Sequence, residues 1–262
     1  MTRAVRELFD LTGRTALVTG GSRGLGLQIA HALGEAGARL MITARKADEL
    51  ESAVAQLQDA GIDARWIAAD CAQEAQLRTL ADETLARMGD IDILVNNAGA
   101  SYGSPAEDHP VEAWDKVMNL NVRGYFILSQ HVGKRSMIPR KRGRIINVSS
   151  IASLGGNPPE LRMIAYNTSK AAVNNFTRAL AAEWGHHGIN VNALCPGFFP
   201  SKLTRVTLDA HGQMLTAHTP LGRLGDDEDL KGAAVLFASD AGKHITGQCL
   251  AIDGGSSVVR GG

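Results

Sequence analysis

The chain has 262 residues, of which 44% are hydrophobic and 21% charged, and its formal net charge is zero. This hydrophobic content is ample for a buried core and excludes a disordered or fibrous protein. The balanced charge argues against nucleic acid as a main partner, because phosphate binding needs a basic excess. No apolar stretch approaches the roughly 18 residues that a membrane span needs. We therefore expect neither nucleic acid nor a membrane as a partner.

Strands and helices alternate along the whole chain. Short apolar runs predict strands over residues 14–19, 39–44, 63–70, 91–99, 143–150, 189–197 and 248–255. Helical spacing of apolar residues predicts helices over 25–37, 47–61, 73–89, 111–137, 164–184 and 226–239. Such alternation is typical of parallel βαβ units, and nearly all-apolar strands are typical of a sheet with helices on both faces. The sequence predicts an α/β fold, a doubly wound parallel sheet of about seven strands in one domain, with ligands at the carboxyl ends of the strands.

The cysteines and one basic segment bear on compartment and partners. Cys71, Cys195 and Cys249 are far apart and lack metal-ligand spacing, and the N-terminus has no apolar signal-peptide core. A sparse, odd set of cysteines is typical of a reducing compartment, so we expect a cytoplasmic protein without a metal site. The segment Lys134 to Arg144 carries six basic residues in eleven. We interpret it as a solvated helix end and loop, with an anion or nucleic-acid patch as the alternative.

A glycine-rich segment, TGGSRGLG from Thr19 to Gly26, joins the first predicted strand to the first predicted helix. Gly20, Gly24 and Gly26 would let the backbone turn tightly and approach a pyrophosphate, whose negative charge then meets the helix N-terminus. The segment therefore predicts a dinucleotide-binding loop, and a tight turn without a ligand is the alternative.

The residues after the second strand indicate which dinucleotide is bound. An acid there would bind a ribose hydroxyl, whereas cations would accept a 2′-phosphate. This chain has Arg45 and Lys46 at that position, and Arg23 inside the glycine loop adds a third cation. The pattern predicts NADP(H) rather than NAD(H), with Arg45 and Lys46 in a merely solvated loop as the alternative.

Four motifs follow one another in a fixed order: TGGSRGLG, NNAG (Asn96 to Gly99), YNTSK (Tyr166 to Lys170) and PG (Pro196 and Gly197). With them the chain resembles the short-chain dehydrogenase/reductase superfamily from Asp10 to Gly255. The resemblance implies a single-domain Rossmann fold over residues 1–262 and a hydride transfer between a nicotinamide and a carbonyl or secondary alcohol.

Within that superfamily the chain is similar to gluconate 5-dehydrogenase-like members, which implies reduction of a 5-keto-gluconate. It is also similar to 3-oxoacyl-carrier-protein reductases and rhamnolipid-pathway ketoreductases, which imply a different substrate. A non-catalytic nucleotide-sensing scaffold is the alternative of another class. The presence of all four catalytic candidates argues against that scaffold.

The resemblance assigns these catalytic roles. Tyr166 is the acid/base, and Lys170, one helical turn later, is expected to favour its phenolate and to hold the nicotinamide ribose. Ser150 would hydrogen-bond the substrate oxygen, with Ser149 as the competing choice. Asn121 would support a water-linked proton relay to the lysine, and its nearby competitor is Asn119.

The resemblance also implies the cofactor contacts. Asp70 is expected at the adenine, with a helix N-cap as its alternative role, and Ser201 at the carboxamide, where the family often has threonine. The full set of expected cofactor contacts is Gly20, Ser22, Arg23, Gly24, Leu25, Gly26, Arg45, Lys46, Asp70, Cys71, Asn97, Ala98, Gly99, Tyr166, Lys170, Pro196, Gly197, Phe199 and Ser201.

The substrate pocket is expected between three segments, residues 100–105, 153–163 and 198–219, of which the last is expected to form a mobile lid. The 16-residue interval from Ser150 to Tyr166 is longer than is usual in the family, which indicates an insertion beside the pocket. The predicted substrate contacts are Ser150, Tyr166, Tyr102, Asn157 and Phe198. The resemblance further implies a homotetramer or homodimer packed through the two long helices.

Overall fold

The computed structural model describes residues 2–202 and 204–259. Its strands are β1 (Thr15–Thr19), β2 (Arg39–Ala44), β3 (Ala64–Ala68), β4 (Ile93–Asn96), β5 (Gly143–Val148), β6 (Ile189–Pro196) and β7 (Cys249–Ile252). They form one seven-stranded sheet in the order β3-β2-β1-β4-β5-β6-β7, and every neighbouring pair is parallel. The chain turns back between β1 and β4, so the switch point lies at their carboxyl ends. The predicted α/β fold is confirmed.

The helices cover both faces of this sheet. They are α1 (Val5–Leu8), α2 (Gly24–Glu35), α3 (Ala47–Asp59), α4 (Glu74–Met88), α5 (Val111–Met118), α6 (Gly124–Val132), α7 (Ile138–Arg140), α8 (Ile164–Trp184), α9 (Arg205–Ala217) and α10 (Lys231–Ala238). Buried side chains of α2, α3 and α10 pack with Ala16 and Val18 of β1 on one face. Side chains of α4, α6 and α8 pack with Leu17 of the same strand on the other. Alternate residues of one strand thus enter two cores, as the nearly all-apolar strands predict.

The long helix predicted over residues 111–137 is interrupted by two π-helical turns. The turns span Asn119–Arg123 and Gly133–Met137, between and after α5 and α6. A π-turn inserts one residue into the helical repeat and is common at functional sites. The first turn carries Asn121, the predicted catalytic asparagine, so the irregularity lies at the candidate site.

Two predicted elements differ from the structure near the C-terminal third. The segment expected as a lid contains the helix α9, in which Leu215 is buried. The helix was not predicted because its mostly polar sequence has few apolar residues at helical spacing. The helix predicted from Asp226 begins at Lys231 instead, because Asp226 and Asp229 bond backbone amides of the preceding turn. The acidic residues of this segment therefore precede the helix, and none lies in its first turn.

Candidate active site

The glycine loop ends β1 and begins α2. Gly20 and Gly24 have φ angles of +63° and +55°, which favour glycine. A Cβ atom on Gly26 would lie 2.2 Å from the carbonyl oxygen of Gly20. The backbone therefore forms a cradle without side chains at the start of a 12-residue helix, and such a cradle fits a pyrophosphate.

The NNAG loop is fastened directly to this cradle. The Thr19 hydroxyl accepts hydrogen bonds from the backbone N–H groups of Asn97 at 2.9 Å and Ala98 at 3.1 Å. The Asn97 side chain donates to the carbonyl oxygens of Thr19 and Gly20 at 2.8 and 3.1 Å. The structure thus brings together the predicted loop residues and Gly20. Thr19 was not predicted, although its position at the end of a strand before a glycine was a usable signal.

The predicted phosphate cations lie around an acidic residue that the sequence analysis missed. The Arg23 guanidinium donates to the Glu49 carboxylate at 2.8 Å, and the Lys46 ammonium lies 3.5 Å from the same oxygen. The Ser22 hydroxyl lies 3.5 Å from the other carboxylate oxygen. Glu49 belongs to the first turn of α3, which begins directly after the N-cap residue Lys46. This helical position could have revealed that the Glu49 and Lys46 side chains lie close together.

Asp70 and Cys71, which are predicted to contact the cofactor, follow the end of β3. The Asp70 carboxylate accepts from the backbone N–H of Ala72 at 3.0 Å, so it orders the turn before α4. The N-cap of α4 is Gln73, so Asp70 does not have the alternative N-cap role. Burial raises the pKa of the Cys71 thiol to about 12, against the opposing effect of the Arg45 charge. Cys71 is thus a buried, protonated packing residue beside the predicted site, with Arg45 nearby.

The PG motif joins β6 to the opposite wall of the cradle. The backbone N–H of Gly197 donates to Ile252 at 2.9 Å, which fixes the turn after Pro196. A Cβ on Gly24 would lie 3.8 Å from the Cβ of Ser201, so the predicted serine does face the glycine loop. Phe199 is 3% exposed, and its buried ring orders the segment between them.

The predicted proton-transfer pair lies in the first turns of α8. The Lys170 ammonium is buried and donates to the carbonyl oxygen of Val148, at the end of β5, at 2.7 Å. It lies 5.6 Å from the ring centroid of Tyr166 and equally far from that of Tyr125. The Tyr125 hydroxyl donates to the same Val148 oxygen at 3.3 Å. Tyr125 was not predicted, but it lies one helical turn after Asn121 and so on the same side of its helix.

The electrostatics of this pair differ from our expectation. Burial lowers the pKa of Lys170 to about 8, because removal from water disfavours the ammonium. Burial also raises the pKa of Tyr166, and the hydrogen-bonding Ser150 side chain acts against that increase. From the sequence we expect Lys170, together with the positive ring of the bound nicotinamide, to favour the phenolate of Tyr166. In the protein alone, burial is the larger effect and has the opposite sign.

The two adjacent serines have different partners. The Ser150 hydroxyl accepts from the backbone N–H of Ala152 at 3.1 Å, and its proximity to Tyr166 opposes the rise that burial causes in the pKa of that tyrosine. The Ser149 hydroxyl donates instead to the backbone oxygen of Lys170 at 3.0 Å. The geometry favours Ser150 as the predicted serine, because its oxygen is next to the tyrosine.

Asn121 connects the NNAG loop to α8. Its side chain accepts from the backbone N–H of Ala100 at 2.8 Å, donates to the Ala100 oxygen at 2.9 Å and donates to the Ser169 hydroxyl at 2.9 Å. The competitor, Asn119, donates to Ala72 outside this group. These bonds use both amide hydrogens of Asn121, so the structure supports a positioning role, and the water-linked relay stays a prediction.

The loop between Ser150 and Tyr166, where we predict an insertion, is tied to neighbouring elements. The Asn157 amide donates to the backbone oxygen of Leu161 and to the Asn167 side chain, both at 3.1 Å. The backbone N–H of Ser104 donates to the oxygen of Arg162 at 3.0 Å. Asn157 therefore orders the loop, and its predicted contact with substrate remains a prediction.

The other two predicted substrate residues lie apart from each other. The Tyr102 side chain is 44% exposed and meets the edge of His109. Phe198 lines a cavity of about 460 Å³ with Phe199, Leu221 and the turn after β7. Neither Ser150 nor Tyr166 lines this cavity, and the contact of Phe198 with substrate stays a prediction.

The basic segment is extensively neutralised. Arg135 pairs with Asp82, Arg140 with Asp90 and Asp92, and Arg144 with Asp240. These pairs leave less free positive charge than the sequence count suggests. Within residues 2–202 and 204–259, no cluster of three potential metal ligands is present. Among the helices described, none is long and apolar enough to cross a membrane.

Comparison with known proteins extends over nearly the whole chain. The family described as short chain dehydrogenase matches residues 14–211. Gluconate 5-dehydrogenase of Gluconobacter oxydans is 38% identical over 254 residues, covering 96% of this chain and 98% of that protein. A rhamnolipids biosynthesis 3-oxoacyl-[acyl-carrier-protein] reductase of Pseudomonas aeruginosa is 41% identical over 252 residues, covering 94% and 97%.

A solved structure has the same fold over nearly the whole chain. A gluconate 5-dehydrogenase from Burkholderia cenocepacia, crystallised with NADP and tartrate, superimposes with a TM-score of 0.93 and is 37% identical. The match covers 98% of this chain and all of that one. Together with the glycine cradle and the Tyr166–Lys170 pair, these matches establish that the chain belongs to the short-chain dehydrogenase family.

Proposed function

We propose that this protein is an NADP(H)-dependent oxidoreductase that interconverts a ketone and a secondary alcohol in a sugar acid of the gluconate type. The observation that carries the proposal is the convergence of Tyr166, Lys170, Ser150 and Asn121 beside the glycine cradle. These groups come from three elements, yet hydrogen bonds or short separations link them at the carboxyl ends of β4 and β5.

The nicotinamide cofactor, when bound, supplies or accepts the hydride. In ketone reduction the Tyr166 hydroxyl donates its proton to the substrate oxygen, while Ser150 orients that oxygen by a hydrogen bond. The raised pKa of Tyr166 keeps this hydroxyl protonated at neutral pH, which suits the reducing direction. Asn121 holds the loop and helix that carry these groups in register.

Three cations support NADP(H) over NAD(H). Arg45 and Lys46 directly follow β2, where an acid would otherwise bind a ribose hydroxyl, and Arg23 pairs with Glu49 beside Lys46. Relatives point in the same direction, because the Burkholderia cenocepacia protein was crystallised with NADP. The cradle at Gly20 and Gly26 fits the pyrophosphate that both dinucleotides share.

The substrate class rests on the relatives. The Gluconobacter oxydans relative is named for gluconate, and an Escherichia coli relative that is 34% identical is named 5-keto-D-gluconate 5-reductase. The Pseudomonas aeruginosa relative is named for an acyl-carrier-protein substrate. A 3-oxoacyl thioester is therefore the alternative to include in any assay.

The test is a turnover panel with 5-keto-D-gluconate and a 3-oxoacyl thioester, each with NADPH and NADH. Tyr166→Phe removes only the reacting hydroxyl, so kcat should fall by roughly 100-fold or more, with an unchanged dissociation constant for NADPH. Tyr102→Phe removes the exposed hydroxyl of another predicted substrate contact, which takes no part in proton transfer, and it should lower kcat far less. Near-normal turnover by Tyr166→Phe would refute the mechanism. Preference for the thioester would refute the sugar-acid assignment.

We further propose a homotetramer or homodimer in the cytoplasm. Phe126 of α6 is 48% exposed and its ring packs edge-on against Phe176 of α8, which supports a subunit contact on this face. Light scattering should detect a smaller assembly for Phe126→Lys than for Val206→Lys, a control on the exposed face of α9. The buried free thiols of Cys71 and Cys195 suit a reducing compartment, which cell fractionation can test.

A further inference from the structure

The cations proposed to bind the 2′-phosphate already have an anionic partner. The Glu49 carboxylate accepts a hydrogen bond from Arg23 at 2.8 Å and lies 3.5 Å from both the Lys46 ammonium and the Ser22 hydroxyl. The Glu49 side chain is 25% exposed, whereas those of Arg23 and Lys46 are 50% and 62% exposed. Glu49 thus lies on the inner side of the group, and its cations face solvent.

We propose that, in the protein without cofactor, the Glu49 carboxylate occupies the place of the 2′-phosphate. It thereby reduces the preference of this site for NADP(H) over NAD(H). The proposal rests on the NADP(H)-dependent function proposed above. A 2′-phosphate that pairs with Arg23 and Lys46 must share these cations with Glu49 or displace it. Two anions within about 4 Å of the same cation repel each other, so part of the phosphate binding energy is lost.

The position of Glu49 allows such displacement. It is in the first turn of α3, and the N-cap residue Lys46 makes no side-chain capping bond to that turn. A phosphate at the same place would also meet the positive end of the helix dipole, as Glu49 now does. Arg45 forms no ion pair within the described residues, so it remains available to a phosphate while Glu49 holds Arg23. Glu49 therefore reduces the preference for NADP(H) over NAD(H) without abolishing it.

The experiment measures binding by calorimetry with the full-length protein, using NADP+ and NAD+ at low and high salt. Glu49→Gln should tighten NADP+ binding by about fivefold to tenfold at low salt and leave NAD+ binding unchanged or weaker. The gain should shrink at high salt because the site is partly exposed. Glu51→Gln is the matched control: it removes the same charge from the same helix at an exposed position and should change NADP+ binding less than twofold.

Two results would overturn the proposal, and they are distinguishable. If the natural protein prefers NADP+ and Arg23→Ala weakens NADP+ binding, but Glu49→Gln does not tighten it, Glu49 has no such role while the proposed function stands. If the natural protein prefers NAD+, the 2′-phosphate site itself is wrong and both proposals fail. Thermal unfolding of Glu49→Gln without cofactor serves as the folding check.

Discussion

Replacing Lys170 with methionine should stabilise the free protein while it removes activity. Burial lowers the pKa of Lys170 from its ordinary value of 10.5 to about 8. Since one pKa unit corresponds to about 1.4 kcal/mol, holding the ammonium charged at pH 7 costs on the order of 3 kcal/mol. The lost hydrogen bond to Val148 offsets about 1 kcal/mol of that gain, and Tyr125 still donates to the same oxygen. The net gain of about 2 kcal/mol corresponds to roughly 4–8 °C in Tm.

Thermal unfolding of both proteins without cofactor, from neutral to alkaline pH, provides the test. The folded-state pKa lies below the unfolded one, so between about pH 8 and 10.5 the unfolded chain binds more protons. The stability of the natural protein should therefore rise across this window relative to that of Lys170→Met, and the advantage of the variant should vanish. Lys116→Met, at an exposed position, is the control. A variant that melts lower at pH 7, or an advantage independent of pH, would refute the reasoning.

Four further substitutions test the site. Gly26→Ala should weaken NADPH binding at least tenfold, or by roughly 1.4 kcal/mol or more, because the added Cβ would collide with the Gly20 oxygen. Calorimetry measures this affinity, and an unchanged value would contradict the role of the cradle in binding. Asn121→Ala leaves buried polar groups unpaired and should lower the free energy of unfolding by about 1–3 kcal/mol. It should also lower kcat, and a loss of stability with normal kcat would show that Asn121 has no role in the site. Ser150→Ala should lower kcat about 100-fold, whereas Ser149→Ala should mainly lower Tm. If steady-state assays show the larger loss of kcat for Ser149→Ala, the two serines have the opposite roles.

The sequence predicted the sheet well because its strands are buried on both faces. Such strands are continuous apolar runs that differ clearly from the helices between them. The glycine loop and the Tyr166–Lys170 pair were equally accessible, since each depends on spacing within one local segment. Helix α9 was missed because its exposed surface leaves only a weak apolar pattern, with Leu215 as its buried residue.

Contacts between distant segments were harder to predict. Glu49 was overlooked because its significance depends on Arg23, which lies 26 residues away in the chain. The bonds by which Asn157 joins Leu161 to Asn167 of α8 were not predicted, and its contact with substrate stays a prediction. The rise that burial causes in the pKa of Tyr166 in the protein without cofactor was not foreseen, because a sequence displays neighbouring charges but not the depth of burial. In each case the missing quantity is three-dimensional.

The π-turn at Asn119–Arg123 makes this helix sensitive to its length. Each residue advances an α-helix by about 100°, and the turn holds one residue more than a regular repeat would. Deleting one residue there would restore a regular helix at little local cost, yet it would rotate Asn121 and Tyr125 relative to each other. Either Ala100 would lose both of its bonds to Asn121, or the Val148 oxygen would lose the bond from Tyr125. A gap at this point in an alignment of relatives would therefore mark a rearranged site, even where every catalytic residue type is retained.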